Sequence, residues 1–524
     1  MTAAELMANW NALIATATLG TQRGAPVSSA KLWPTVDLGP PPGPAERVLL
    51  RTAAANHLWQ LAGVRIAPTQ RVSPDIAPVR DAPLVSESAV WRLARMLAGD
   101  HRDLVPEWLA LAAEARAIVP PHWLPLVLSA LDAAERAAAG AVLGPHAEWL
   151  ARRNPEWAPG LAPAAAEAVE LWNHGTLSQR CAAFGQMRAA DPTGARLMLE
   201  STWPTEPPDA RAALMGTLLE APGLSEADES FLEAALSDKR KEVRAAALEC
   251  LCRLPGCAHA QRNLERLRSL LVMTDAKPGL LGKLARRRLE IALPESLDKA
   301  AVRDGVSAKA PAQQKLGERA GWLMQMVAMA RPNHWCERFG CDIQTFLDAA
   351  LATDYAMDLL LALAHASIRQ HDAVWIAALA TRLLAFQAAP EQQAVIAQTI
   401  PMLVAAAPPT ERDRLVRQLL AASKPADLNL LQSALAAADV AWSSETTHLA
   451  FQLLAERTRL ATSEYSHPRN TLAHWGRYAE VSTASAALAR ILEQTAAPSP
   501  WRNALEALQE IITFRLAMRQ ELST

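Results

Sequence analysis

Proline and glycine break this chain into short segments, and within nearly every segment apolar residues recur three and four positions apart. The chain holds 36 Pro and 22 Gly. A three-and-four spacing is the mark of one buried face on an α-helix. Sustained alternation of apolar and polar residues, the mark of a half-buried strand, is missing. Val, Ile, Tyr and Phe rarely cluster, whereas Ala, Leu, Arg, Glu and Gln dominate, and all five favour helix. The reading is an all-α chain of short helices joined by turns.

Size and charge narrow the class. The chain has 524 residues, with 52 Lys and Arg against 54 Asp and Glu, and 51% of it is hydrophobic. That is a folding composition, not a disordered one. The length fits about three domains or one long repeat array. The first charge is Glu5 and no basic segment precedes an apolar run, so no secretory signal is expected. No stretch reaches the roughly 18 uninterrupted apolar residues of a spanning helix. The Ala-rich run from Ile118 to Leu143 is broken by Pro120, Pro121, Pro125, Asp132, Glu135 and Arg136. Six cysteines are too few for a disulfide scaffold in so long a chain. The expectation is a cytoplasmic protein with reduced thiols and no membrane association.

The pattern predicts a first helix over Ala4 to Leu19 and a second over Glu46 to Leu61, separated by the Pro/Gly-rich stretch Gly24 to Pro44. A second proline-spaced loop covers Pro68 to Pro83, after which Ser86 can cap a helix with Val90, Leu93, Ala94 and Leu97 on one side. Leu104 to Ile118 and His122 to Ala139 read as a helical pair. From about Pro163 the helices become regular. The stretch from Pro294 to Gln314 loses its apolar period and reads as a linker. The expected organisation is a less regular N-terminal helical domain over 1–160, a repeat block over 161–293, a linker over 294–314 and a C-terminal helical repeat block over 315–524.

The clearest repeat unit is Ser225 to Pro255. Ser225 and Asp228 are spaced as a capping box, with Asp in place of the usual Glu or Gln. Phe231, Leu232, Ala235 and Leu236 line its first helix, Ser237 and Asp238 turn the chain, and Val243, Ala247, Leu251 and Leu254 line the second. Neither helix can bury its stripe alone, so successive pairs must stack. The segment FLEAALSDKRKEVRAAALECLCRLPG resembles a HEAT repeat, through Asp238 in the turn, Val243 and Arg244 opening the second helix, and Ala247 and Leu248 beyond. That resemblance implies a HEAT-like α-solenoid of antiparallel helix pairs, in which Asp238 and Arg244 tie the turn of one repeat to its neighbour.

A wider resemblance rests on anchors read in order: Ala17 to Arg23 (ATLGTQR), Leu104 to Leu109 (LVPEWL), Leu143-Gly144-Pro145, Glu148-Trp149-Leu150, Asn154 to Trp157 (NPEW) and Asp228 to Glu233 (DESFLE). Together they resemble a bacterial family of helical-repeat proteins of unknown function. The resemblance brings no activity. It implies a genomic setting beside MoxR-type AAA+ ATPases, von Willebrand factor A-domain proteins and SWIM zinc-finger proteins, and hence a protein partner instead of a substrate.

One local charge anomaly stands out. Lys239 to Glu290 holds 13 Lys and Arg against five acids. Lys239, Arg240, Lys241, Arg262, Arg266, Lys283, Arg286 and Arg287 are its candidate binding residues, for an acidic protein face or for phosphates. The plainer account is a solvated edge with internal ion pairs. No aromatic residue interrupts the stretch, so it lacks a stacking platform for single strands.

Other candidates for chemistry are weak. Cys250 and Cys252 point about 200° apart on a helix, so Cys250, Cys252, Cys257 and His259 read as core and not as a metal site. His334, Cys336 and Cys341 lie in a turn but supply too few ligands. Gly279 to Lys283 lacks the spacing of a phosphate loop, with Leu284 where Ser or Thr is required. His467 and His474 read as surface residues. Trp149, Trp157, Trp172, Trp203, Trp322, Trp335, Trp375, Trp442 and Trp501 are expected to fill gaps between Ala-rich helices, with one or two exposed Trp able to anchor a partner.

No catalytic residues, cofactor or metal are assigned. The expected function is a non-catalytic scaffold or adaptor whose concave face binds a protein partner, a MoxR-type AAA+ ATPase or A-domain protein. The alternative is a nucleic-acid-associated repeat protein acting through the 239–290 face.

Overall fold

The computed structural model describes residues 3–23, 43–62, 82–154, 156–157, 160–161, 165–275, 287–309, 316–387, 389–424, 427–460, 468–495 and 500–523. The chain divides into two compact units, residues 1–77 and 78–524. In the first, helices α1 (Ala3–Leu19) and α2 (Ala45–Ala62) pack on each other, and the Thr21 hydroxyl donates to Glu46 Oε1 at 2.6 Å.

The second unit opens with α3 (Glu87–Leu97), α4 (Val105–Glu114), α5 (Leu124–Ala130), α6 (Ala133–Ala138) and α7 (Gly140–Ala151). There follow α8 (Ala165–His174), α9 (Leu177–Ala190), α10 (Pro192–Thr202), α11 (Pro208–Glu220), α12 (Glu229–Ala235), α13 (Lys241–Arg253) and α14 (Ala258–Leu267). Strands β1 (Leu271–Asp275) and β2 (Arg287–Ile291) come next, then α15 (Lys299–Arg303). The remainder is α16 (Glu318–Met329), α17 (Asn333–Phe339), α18 (Ile343–Leu351), α19 (Ala356–Gln370), α20 (Ala373–Ala385) and α21 (Pro390–Ala406), then α22 (Pro409–Ala422), α23 (Leu428–Ala438), α24 (Ser444–Leu460), α25 (Pro468–Tyr478), α26 (Val481–Gln494) and α27 (Pro500–Ser523). The fold is all-α and of helical-repeat type.

Side-chain caps start many of these helices and explain why they begin where they do. Ser86 accepts from Ala89 N, and Asp132 and Glu135 form a reciprocal capping box at α6. That box breaks the expected helix His122 to Ala139 into α5 and α6, because its N-cap must leave helical geometry. Thr176 with Gln179, Asp342, Asp372 and Glu480 cap α9, α18, α20 and α26.

In the C-terminal half the helices stack as two layers. The odd-numbered α19, α21, α23, α25 and α27 contact one another in succession, as do the even-numbered α20, α22, α24 and α26. Each helix therefore covers the apolar face its layer neighbour leaves bare. Fully buried Trp335, Trp375 and Trp475 fill the interior, where Ala-rich faces alone would leave gaps. Within residues 165–267, α11 packs between α9 and α13 in the same manner. The two stretches join through α13 on α19 and α14 on α16, with Glu249 and Arg369 paired by two contacts of 2.8 Å.

Three features went unanticipated. The first is the antiparallel hairpin, in register Leu271 with Ile291 and Asp275 with Arg287. Its strands are five residues each and lie inside a basic run, too short for alternation to register. Leu271 and Leu289 are buried and anchor it. The second is the expected linker 294–314, which contains α15 and the buried residues Ala301, Asp304 and Val306. The third is the last helix. Met518 of α27 lies in the same apolar cluster as Val90, Leu93, Trp108 and Val127, so the chain end completes the core of residues 85–147. Arg515, 1% exposed, meets Glu107 of α4 at 2.6 and 2.9 Å and donates to the carbonyls of Gly476 and Ala479. Arg519 also reaches Glu107, and Arg92 of α3 pairs with Glu521.

Removing one partner of a buried ion pair is destabilising, here moderated because Arg519 still reaches Glu107. Arg515→Met is therefore expected to lower the thermal midpoint and to speed amide exchange in α3 and α4 while leaving α11 to α13 protected. Hydrogen-exchange mass spectrometry checks this, and equal protection of α3 and α4 in both proteins would contradict it.

Candidate functional site

The basic stretch folds into three separate settings. Lys239 and Arg240 stand on the turn between α12 and α13, Lys241 opens α13, and all three are exposed. Arg240 pairs with Asp209 of α11, and Lys241 is 3.9 Å from Glu242. Asp238 in that turn accepts from Arg240 N at 2.8 Å and lies 3.4 Å from Arg211 of α11. It thus ties the turn to the preceding helix. Among the described residues Arg244 closes on its own turn and not on a neighbour. Its guanidinium donates to the carbonyls of Asp238 and Lys239 at 2.7 and 3.0 Å, closing its own turn.

Arg262 and Arg266 on α14 turn inward instead. Both hold Asp304, which is 1% exposed, at contacts of 2.7–2.9 Å. Arg262 also reaches Glu233 of α12 at 2.8 Å, and Arg303 joins Glu233 at 3.1 Å. His259 meets the Asp304 carbonyl at 2.9 Å. Burial pushes the Asp304 carboxyl up, but hydrogen bonds and charge from Arg262 and Arg266 outweigh it and hold the group below its ordinary value. Gly305 follows at φ 101°, a left-handed turn where a Cβ would stand 2.3 Å from Leu248. The glycine lets the chain leave Asp304 without striking α13.

Arg287 opens β2. It donates to the carbonyls of Phe339 and Gly340 at 2.7 and 3.1 Å and lies 3.5 Å from Asp275. Lys283, Arg286 and the Gly279 to Lys283 segment lie outside the described residues, as does His467. The described candidates therefore form no single cationic face. Two of them bind a buried carboxylate, which the sequence hid because Asp304-Gly305 reads as linker.

A similar buried pair sits one repeat earlier. Arg188 and Asp228, each 1% exposed, meet at 2.6 Å, and Asp228 also accepts from Ser225 N at 2.9 Å. The expected capping residue thus doubles as an anchor for α9. Cys250, Cys252 and Cys257 are buried. Burial pushes the first two thiols up to about 12, against partial relief from Arg253 and Arg369 respectively. Among the described residues no three His, Cys, Asp or Glu side chains converge as a metal ion requires.

Among the described residues two surfaces suit partners. A groove of about 330 Å³ opens between α24 and α26. Phe451, Ala455, Ala487 and Ile491 form its apolar part; His448, Arg459 and Arg490 bring positive or ionisable groups, and no lining residue is a carboxylate. The second is Trp91, 61% exposed, in edge contact with Trp123 at 5.0 Å. Leu126, one turn beyond Trp123, is also exposed. The groove had no sequence signal, because α24 and α26 are read separately and only stacking brings Arg459 and Arg490 to one furrow.

Asp304→Asn removes the charge that Arg262 and Arg266 share and is expected to destabilise the fold, moderated by the Glu233 partner that Arg262 keeps. The pH sign follows from the direction of the shift. The folded pKa lies below the unfolded one, so the stabilisation is full above the ordinary carboxyl range and is lost as pH falls through the folded value. Urea midpoints at a series of acid pH values are expected to fall less steeply for the variant than for the wild type. Parallel slopes would contradict this.

A model of one protein family, described as a family of unknown function (DUF5691), matches residues 12–522 of the chain. No curated protein and no solved structure matches it.

Proposed function

Since the chain belongs to DUF5691, a family of unknown function, we propose that it is a non-catalytic helical-repeat scaffold that binds a protein partner in the groove between α24 and α26. The observation that carries this reading is the composition of that groove: an apolar floor, cationic side chains beside it and no carboxylate in the lining. Such a furrow suits an amphipathic segment with apolar anchors and acidic flanks. Stacked repeats present extended surfaces of this kind without needing a deep pocket.

The partner we favour is a MoxR-type AAA+ ATPase or an A-domain protein, on the strength of the genomic setting that the resemblance implies. A cytoplasmic setting belongs to the same reading, supported by six free cysteines, three of them buried. Among the described residues no helix is long and apolar enough to cross a membrane.

The nucleic-acid alternative draws on Lys239 and Lys241, which stay exposed. It is weakened by Arg262 and Arg266, whose charge is matched by Asp304 and Glu233.

Affinity capture from cells of the source organism tests the scaffold reading. Wild type is expected to recover an ATPase or A-domain protein, and the double variant Arg459→Glu, Arg490→Glu to lose at least tenfold of it, equivalent to about 1.4 kcal/mol. Recovery of neither protein by the wild type, or equal recovery by the variant, would overturn the assignment of partner or groove respectively. For the alternative, DNA and RNA retardation is expected to be absent at ~50 mM salt; a shift that vanishes by ~200 mM would favour phosphate binding.

A further inference from the structure

We propose that Cys336 and Cys341 form an oxidative modification site, at which peroxide converts the two thiols into a reversible intrachain disulfide. The backbone brings them together. Helix α17 ends at Phe339, and Gly340 takes the left-handed conformation at φ 56°, ψ 48°. Cys341 N then donates to the Cys336 carbonyl at 3.2 Å. This six-to-one closure is a helix-ending motif that also brings the first and last side chains of the turn into contact. The closure folds the backbone of Cys341 back onto that of Cys336, and a disulfide needs Cα atoms roughly 4.4–6.8 Å apart.

Access and position select this pair. Both cysteines are half-buried, whereas Cys250, Cys252 and Cys257 are buried. Cys181 is half-buried on α9, far along the chain from the pair. The two sulfurs are also unequal. Burial raises both thiols, to about 12 for Cys336. At Cys341 the Arg287 guanidinium works against that burial by charge and by hydrogen bonding. The carbonyls of Phe339 and Gly340 hold that guanidinium beside Cys341, and no such cation is held at Cys336 among the described contacts, so Cys341 is the sulfur that reacts first, the thiolate being the nucleophile.

The chemistry balances with hydrogen peroxide as oxidant. The Cys341 thiolate attacks one peroxide oxygen, the O–O bond breaks, and hydroxide leaves to become water. Cys341 is then a sulfenic acid. The Cys336 sulfur attacks the Cys341 sulfur, the S–O bond breaks, and the hydroxyl leaves with the thiol proton as a second water. Two thiols lose two electrons and two protons in all, and one peroxide becomes two waters. The bond would clamp the turn whose carbonyls at Phe339 and Gly340 receive Arg287, and so hold the hairpin strand β2 against α17.

The full chain, reduced and then treated with a small excess of hydrogen peroxide, tests this. Thiol titration under denaturant is expected to fall from the six cysteines of the sequence to four, with return to six after dithiothreitol. Peptide mapping is expected to find Cys336 linked to Cys341. Cys336→Ser should stop at a sulfenic acid on residue 341 that dimedone traps, and Cys341→Ser should give neither adduct nor disulfide. Arg287→Gln should slow disulfide formation several-fold. Six thiols surviving treatment, a disulfide mapped to any other pair, or a dimedone adduct on residue 336 in place of 341 would overturn the proposal. Circular dichroism of each variant separates loss of the reaction from loss of the fold.

Discussion

Among the described residues of the larger unit, the helix pairs depend on their neighbours to cover their apolar faces. That constraint organises the structure. Leu379, Leu383 and Trp375 on α20, for example, are fully buried only because α19, α21 and α22 lie against that helix. Burial of each such side chain contributes about 1.5–3 kcal/mol, and an isolated helix of this length is marginal in water. Stability therefore belongs to the stack and not to its members. The same logic makes the terminal face a problem, and α27 meets it by inserting Met518 into the core of residues 85–147.

Apolar stacking by itself says little about register, because Ala and Leu faces slide against one another at small cost. Buried charge supplies the register. Arg188 with Asp228, Arg262 and Arg266 with Asp304, and Arg515 with Glu107 each join elements that are distant in sequence. Each pair must meet its partner closely or leave a buried charge unpaired, which is far more costly than a misplaced methyl group. Arg515 with Glu107 links positions separated by 408 residues. These pairs also explain why a chain with a near-even balance of acids and bases presents so uneven a run between Lys239 and Glu290: part of that positive charge is matched from other segments.

The surface left over is what a partner meets. Even-numbered helices of the C-terminal half form one layer, and the furrow between α24 and α26 combines an apolar floor with Arg459 and Arg490. The proposed scaffold role rests on that furrow, whereas the thiol pair at the end of α17 belongs to a turn on a different part of the array. One concerns what the stack can hold, the other what can alter a single turn within it.

The helices themselves were legible from the chain. Spacing placed α1 and α2 within one residue of their observed bounds, and Ser86 marked the start of α3, because periodicity and capping are local properties that short segments carry alone. The hairpin was not legible, since five-residue strands offer too few alternations. Nor was Asp304, which has the neighbours of a linker residue and the surroundings of a core one. The cationic stretch shows the limit most plainly: composition identified Arg262, Arg266 and Lys239 as equals, and folding sent two inward and one to solvent. Local pattern determines whether a segment is helical and which face is apolar. Which charge meets which carboxylate, and which side chains line a common groove, depends on contacts between segments far apart in the chain, and only the packed structure decides those.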